Sequence, residues 1–206
     1  RVLKREEYME LCGTGIWKLL LGAVYKMVIA AGAYKVMGYF DTGTAWYHWV
    51  GYAYAYGIYL FFDFAGYSLM AVGSSYMLGI ETPENFRQPF ISRDIREFWD
   101  RWHITLSHWF RDFIFTRFVM YSSKKKWFST RLQRACAGFF VDMGIMGLWH
   151  GITPSYILYG LYHGLLLAAT ETYQKKSKFY KKHKNKTWYQ VVSWVVTMQL
   201  VFFGFF

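Results

Sequence analysis

The sequence predicts an all-α protein with several transmembrane helices, because its composition is apolar and its charges lie between long apolar runs. Of its 206 residues, 54% are hydrophobic and 23% aromatic, while only 18% are charged. The hydrophobic share exceeds the roughly 45–50% that is usual for soluble domains. A formal net charge of +11 comes from short basic stretches between the apolar runs, as positive-inside topology requires. These stretches do not interleave with aromatic residues as in a nucleic-acid-binding surface, so the expected partner is a lipid bilayer and not nucleic acid.

The first half contains two apolar runs and a loop. Residues 16–40 include three lysines, so we predict a helix that faces other protein or the membrane interface. Residues 46–80 are too many for one span of about 20 residues and include several glycines, which favours two helices or one broken helix. Within this run, Asp63 is either a site residue or the partner of a buried lysine or arginine, and pairing is favoured because buried charges are usually paired. Residues 81–89 contain two prolines and are predicted to be a loop.

The stretch from Ser92 to Phe118 is predicted to be amphipathic and to lie at an interface. Ser92 can cap a helix, after which apolar side chains recur at helical spacing. Two pairs of opposite charge, Arg96 with Asp100 and Glu97 with Arg101, lie four residues apart. The later part is too short and too charged for an ordinary span. We therefore expect a re-entrant or in-plane segment there.

The last part is predicted to contain a helical hairpin, formed by residues 135–150 and 152–173 with a turn at 151–154. Basic residues precede the first run and follow the second, so both flanking loops are expected in the cytoplasm. A helix over residues 135–150 would rise only about 24 Å, less than a hydrocarbon core of roughly 30 Å. His150 is therefore expected below the outer surface, within a recess. The lysine-rich stretch 175–186 is expected to be a solvated loop.

His150 is the first candidate for chemistry, because it closes the apolar run that begins at Met143. An ionisable side chain at membrane depth is costly to bury and marks a reaction site or a transport path by default. The alternative is that it bonds a neighbouring helix. His163 stands in a similar setting and is a rival candidate. Cys12 and Cys136 are isolated, so we predict no disulfide and no metal site. The remaining histidines, expected at interfaces or in solvent, are His48, His108 and His183.

Five motifs then follow one another along the chain. They are FDFAGYS at residues 62–68, NFRQPF at 85–90, FWDRWHITLS at 98–107, WFRD at 109–112 and WHG at 149–151. Together they resemble the membrane-bound O-acyltransferase family, in its bacterial branch. The resemblance implies a multi-pass protein of the cell membrane. Residues 1–206 would then form a single portion of its transmembrane domain, the C-terminal half of a longer chain.

One motif favours a particular group within that branch. Arg111-Asp112 leads to FTRFV at residues 115–119, whereas relatives that O-acetylate alginate follow Arg-Asp with a Tyr-Ile-Pro-Leu-Gly-Gly-like stretch. The chain therefore resembles more closely the members that carry D-alanine to teichoic acids in Gram-positive bacteria. The resemblance implies an acidic acyl carrier protein loaded with D-alanine as donor, through its phosphopantetheine thioester, and a teichoic acid hydroxyl as acceptor. It implies no tightly bound cofactor or metal.

The resemblance also implies roles for two histidines. His150 matches the signature catalytic histidine, and His103 matches a second histidine of the bacterial branch, which could orient the acceptor, stabilise the oxyanion or brace the site. An imidazole titrating near pH 6.5 suits a general base at a hydroxyl, provided that it is neutral. No nucleophile elbow or Cys/His signature is present, so we expect direct transfer and not a covalent acyl-enzyme. Relay through a small membrane protein stays open.

Carrier docking is predicted on the cytoplasmic face, at a surface formed by Arg117, Val119, Met120 and Lys124. Exposed Val119 and Met120 would offer an apolar centre, and the basic residues a rim that attracts an acidic partner. Three other functions remain open. They are an alginate-type O-acetyltransferase, a transporter with Lys26, Asp63, His103 and His150 along a polar path, and a non-catalytic scaffold.

Overall fold

A computed structural model describes residues 4–205, and all regular structure in this range is helical. The chain divides into two compact units, residues 4–86 with Phe205 and residues Arg87–Gly204. The helices of the first unit are α1 (Arg5–Val24), a π-helical turn (Tyr25–Ala30), α2 (Ala31–Asp41) and α3 (Trp46–Met77). Those of the second are α4 (Ile95–Trp99), α5 (Ile104–Phe110), a π-helical turn (Arg111–Phe115), α6 (Thr116–Lys124), α7 (Arg131–His150), α8 (Pro154–Lys176), α9 (Lys178–His183) and α10 (Thr187–Phe205).

Within the described residues, three helices are long and apolar enough to cross a membrane: Arg5–Asp41, Trp46–Met77 and Thr187–Phe205. The first of these joins α1 and α2 through the π-helical turn without a break. The prediction of an all-α protein with several membrane spans is thereby confirmed.

In the first unit, α3 is one unbroken helix of 32 residues, so the prediction of two helices or a broken helix was wrong. The glycines that suggested a break are instead points of close approach between α1 and α3. A Cβ atom at Gly15 would lie 2.6 Å from the carbonyl oxygen of Gly73, and one at Gly22 would lie 2.6 Å from that of Gly66. Small residues let membrane helices pack at short distance, and here they align on both partners at seven-residue spacing.

Asp63 of α3 forms an ion pair with Lys26 of the π-helical turn. The prediction that Asp63 pairs with a lysine or arginine is confirmed. Lys18 of α1 likewise pairs with Glu84, in the predicted loop after α3. Two of the lysines in the first apolar run are therefore neutralised within this unit, as partly buried charges require.

In the second unit, the predicted amphipathic segment is divided into α4, α5 and α6, with irregular residues 100–103 between the first two. Asp94 caps α4 by accepting from the backbone N–H of Glu97 at 2.9 Å, whereas Ser92 is fully buried and donates to the Pro89 carbonyl. The prediction that Ser92 is the cap was wrong, because the 3-10 turn Pro89–Ile91 places it before the helix start.

One of the two predicted charge pairs on this segment is present. Arg101 binds Glu97 at 2.9 Å. Asp100 instead pairs with Arg111 at 2.8 Å, and Arg96 pairs with Glu171 of α8. The expected Arg96–Asp100 pair does not form, because each of the two side chains pairs with a residue of another element instead.

The predicted hairpin is confirmed as α7 and α8, which are joined at residues 151–153. Cys136 of α7 packs in this interface, with its sulfur 3.5 Å from the Thr172 hydroxyl of α8. The lysine-rich stretch after it is not wholly a loop, since α8 continues to Lys176 and Ser177 caps the short helix α9.

Candidate active site

His150 is the last residue of α7, where Gly151 ends the helix. Its ring stacks on Tyr156 at 5.8 Å between centroids and contacts Trp149 at 4.9 Å and Tyr159 at 5.8 Å. His150 is exposed, and its predicted depth below the outer membrane surface stays a prediction. His150 projects from a helix end, held by three aromatic rings.

His103 precedes α5 and has a left-handed backbone, with φ 45° and ψ 54°. This conformation is uncommon for residues other than glycine and is concentrated at functional sites. The His103 carbonyl accepts from the backbone N–H of Ser107 at 2.9 Å, which begins the helix. Burial lowers the pKa of His103 to about 4, and the charge of nearby His150 contributes a smaller lowering. His103 lies outside the three candidate spans and is neutral at pH 7.

His150 lies within range for its charge to lower the pKa of His103. Ser107 and Arg111 lie four and eight residues after His103 in the chain. Met146 and Asp142 lie four and eight residues before His150. Residues four apart lie on one helix face. Ser107, Met146, Arg111 and Asp142 all line one cavity.

This cavity lies inside the second unit and has a volume of about 310 Å³. Its size is at the lower end of the range for small-molecule sites, and its lining combines apolar walls with a few polar groups, as such sites usually do. The polar residues are Arg96, Asp100, Ser107, Arg111 and Asp142, and the apolar ones are Trp99, Phe115, Phe139, Met143, Met146 and Leu167. The histidines lie about one helical turn beyond it.

Asp142 is a residue that the sequence analysis missed. It is 8% exposed, and the backbone of Phe115 hydrogen-bonds to its carboxylate. Its Oδ1 atom is buried without a hydrogen-bond partner among the described residues. The signal was present in the sequence, because a single aspartate interrupts the apolar run 139–143, just as Asp63 interrupts an earlier one.

His163, the rival candidate, is fully buried. Its ring is enclosed by Trp99, Tyr159 and Tyr162 at centroid distances of 5.2, 4.7 and 5.3 Å. Neither ring nitrogen has a hydrogen-bond partner within the part of the chain that the structure describes. His163 is thus a packing residue between α4, α8 and the end of α10, where Gly204 lies against it.

The predicted docking surface lies on α6, directly after the π-helical turn that contributes Phe115 to the cavity. Arg117 and Lys124 are exposed, and Met120 is 64% exposed. Val119 is half-buried, and its side chain faces α7. A Cβ atom on Gly138 of α7 would lie 3.1 Å from the Cγ2 atom of Val119. The prediction that Val119 is exposed therefore needs correction, because the α6–α7 contact uses this side of the helix.

Aromatic residues extend the exposed side of this surface. Tyr121 is 51% exposed and contacts the ring of Trp127, itself 56% exposed, at 5.3 Å. The Lys125 ammonium lies 5.9 Å from the Tyr121 ring centroid. The apolar centre is consequently formed by Met120, Tyr121 and Trp127.

Comparison with known proteins identifies the family. Residues 3–204 match the model of MBOAT, the membrane-bound O-acyltransferase family. The chain belongs to this family. The resemblance inferred from the five motifs is thereby confirmed, and so is the membrane character of the protein.

Curated proteins also match most of the chain. It is 44% identical to "Teichoic acid D-alanyltransferase" of Bacillus subtilis (strain 168), a match that covers 98% of this chain and 52% of the relative. It is 42% identical to the protein of that name from Lacticaseibacillus rhamnosus, over 90% of this chain and 47% of the relative. "Probable alginate O-acetylase AlgI" of Pseudomonas syringae pv. tomato (strain ATCC BAA-871 / DC3000) is 39% identical over 79% of this chain and 28% of the relative.

The chain thus spans about half the length of the D-alanyltransferase relatives that it matches. Its match to the alginate relative covers less of both chains. Both candidate histidines, the cavity and the docking surface lie within the second unit of this member of the membrane-bound O-acyltransferase family. No cluster of three or more His, Cys, Asp or Glu side chains within residues 4–205 is arranged to hold a metal ion.

Proposed function

We propose that the protein transfers D-alanine from the phosphopantetheine thioester of an acidic carrier protein to a hydroxyl of teichoic acid, across the cell membrane. The observation that carries the proposal is that His150 and His103 each lie four residues along the chain from a residue that lines one cavity, Met146 and Ser107, and that this lining also includes Phe115, the residue before α6. The similarity to proteins named teichoic acid D-alanyltransferase supports the choice of acyl group and acceptor.

In this proposal His150 is the general base. The acceptor oxygen attacks the thioester carbonyl carbon while the imidazole takes the hydroxyl proton, and a tetrahedral intermediate forms. Its collapse re-forms the carbonyl and breaks the carbon–sulfur bond, so that the ester remains on the acceptor. The leaving thiolate takes the proton from the imidazolium and departs as the free thiol of the carrier. A positioned base of this kind contributes about 10²–10⁴ in rate.

His103 would act beside it as a neutral imidazole, because its pKa is lowered to about 4. A neutral imidazole carries one N–H donor, which suits a developing oxyanion or the acceptor hydroxyl. Its fixed position before α5 supports either role. Which of these two roles His103 has depends on the direction from which the acceptor hydroxyl approaches. The same direction decides between direct transfer and relay by a small membrane protein.

Carrier docking is proposed at Arg117, Met120 and Lys124, with Val119 supporting α6 from behind. The exposed basic rim would speed the encounter with an acidic partner, and the apolar centre would hold the complex. The cavity begins next to this surface, since Phe115 lines it and α6 starts at the following residue. A thioester arm from a docked carrier would thus enter towards the histidines.

The proposal is tested with full-length protein in membranes, supplied with carrier protein that bears labelled D-alanyl or labelled acetyl thioester. We expect label from the D-alanyl carrier to appear on teichoic acid. Transfer of acetyl groups to alginate, with no D-alanyl transfer, would support the second candidate function, which the similarity to probable alginate O-acetylases favours. Absence of both transfers from a folded protein would contradict acyl transfer and favour the scaffold or the transporter.

A further inference from the structure

Asp142 is a buried acidic group that the transfer chemistry described above does not use. Its side chain lines the cavity, is 8% exposed, and leaves Oδ1 without a hydrogen-bond partner among the described residues. Burying a carboxylate without compensation is expensive, so buried carboxylates are paired or bind a cationic group.

The arginines of the cavity already have partners of their own. Arg111 binds Asp100 at 2.8 Å, and Arg96 binds Glu171. The charge of Arg111 also acts on Asp142, but among the residues that the structure describes no cation forms an ion pair with this carboxylate. A cation brought into the cavity would find a buried acceptor oxygen there.

The position of Asp142 indicates which ligand would supply a cation to the cavity. It lies two helical turns, or about 12 Å, before His150 on the same face of α7. It also hydrogen-bonds to the backbone of Phe115, in the π-helical turn that joins the cavity to the docking surface. In the proposed function the acyl group moves through this cavity to the histidines and so passes this carboxylate. A D-alanyl group differs from a neutral acyl group by its α-ammonium.

We propose that Asp142 is a specificity-determining residue that binds the ammonium of an aminoacyl thioester within the cavity and so favours aminoacyl over neutral acyl donors. The inference rests on the proposed function. Because Asp142 is about 12 Å along the helix from His150, it binds the ammonium of the donor and takes no part in proton transfer. An ionic hydrogen bond of the usual strength corresponds to a preference of about tenfold to a hundredfold.

The first test compares two donors that differ only in the ammonium, a carrier loaded with D-alanyl or with propionyl thioester. In full-length protein, Asp142→Asn should lower kcat/KM for D-alanyl transfer by about tenfold to a hundredfold and leave propionyl transfer unchanged. Asp41→Asn, an exposed acid at the end of α2, is the matched control and should change neither. Equal losses with both donors would show a structural role for Asp142, and an unchanged D-alanyl preference would also overturn the proposal.

The second test measures binding without transfer. Amides of aminopantetheine with D-alanine or propionic acid cannot transfer their acyl group, and a ligand that binds the folded state raises its thermal stability. Wild type should be stabilised by the D-alanyl amide at about tenfold to a hundredfold lower concentration than by the propionyl amide, and Asp142→Asn should not distinguish them. Equal binding by wild type would overturn the ammonium site. If the wild type distinguishes the two amides in binding but transfers neither acyl group, the proposed function is contradicted and the ammonium site is retained.

Discussion

At the scale of single residues, three of the histidines in the second unit occupy different environments, and the differences favour different tasks. His150 is exposed at a helix end, His103 is partly buried with a left-handed backbone, and His163 is fully enclosed by aromatic rings. A group that exchanges protons with a substrate must be reachable, which favours His150 over His163. The neutral state of His103 favours hydrogen bonding over charge stabilisation.

The titration of His103 gives a first prediction. Its pKa is about 4 in the folded protein against an ordinary 6.5, so between these values the unfolded chain binds more protons. The free energy of unfolding should therefore fall as pH decreases from 6.5 to 4, and this residue should contribute no pH dependence above 6.5. In NMR spectra of protein with labelled histidine, the resonance that disappears in His103→Asn should titrate near pH 4. A midpoint near 6.5 would contradict the burial described here.

The enclosure of His163 gives a second prediction. His163→Ala should lower the free energy of unfolding by about 2–4 kcal/mol, because it opens a cavity among Trp99, Tyr159 and Tyr162. His163→Phe fills the same space and removes two unpaired nitrogens, so it should cost much less. Thermal denaturation in one detergent compares the two variants with wild type. If both variants keep full stability but lose transfer, His163 becomes the better candidate for the base.

At the scale of elements, close helix packing explains where sequence patterns were misleading. Glycines in α3 suggested a break, yet they face the glycines of α1 and allow backbone contact across the pair. The spacing after Ser92 suggested one amphipathic helix, yet it is interrupted at residues 100–103, where His103 has a left-handed backbone. Local spacing indicates neither the glycine contacts nor this interruption.

The glycine contacts of the first unit give a third prediction. Gly15→Ala should lower the free energy of unfolding by about 1–3 kcal/mol, because its Cβ would meet the Gly73 carbonyl oxygen at 2.6 Å. Gly13→Ala is the matched control, since a Cβ there meets nothing within 4 Å, and it should be neutral or slightly stabilising. Denaturation of both variants in detergent measures the difference. Equal stability would show that α1 and α3 do not approach as described.

At the scale of the whole molecule, the candidate site is arranged along one direction in the second unit, from the α6 surface through the cavity to the histidine pair. The family motifs made His103 and His150 predictable from the sequence, and the hairpin of α7 and α8 followed from apolar runs and a turn. The inward side of Val119 was not predictable, because it depends on which face of α6 meets α7, a property of packing. A lone aspartate within an apolar run marked Asp142, but its place in the cavity lining also depends on packing.

Carrier docking gives a fourth prediction. Met120→Asp should weaken carrier binding by about tenfold or more, because it places a charge in the apolar centre and repels an acidic partner. Ile152→Asp is the control, since Ile152 is 86% exposed at the opposite end of α7, and it should leave carrier affinity unchanged. Added salt should weaken binding by wild type through screening of the basic rim. If salt has no effect, the lysines serve topology only; if Met120→Asp binds normally, the carrier docks elsewhere.

The most direct test of the central claim is the rate of D-alanyl transfer by His150→Ala in full-length protein at matched membrane levels. We predict a loss of about 10²–10⁴ in transfer rate, with carrier affinity unchanged because the docking surface lies at the other end of α7. A wild-type rate in a folded variant would contradict the assignment of His150 as the general base. Loss of carrier binding together with transfer would show instead that His150 supports the helix hairpin and is not the base.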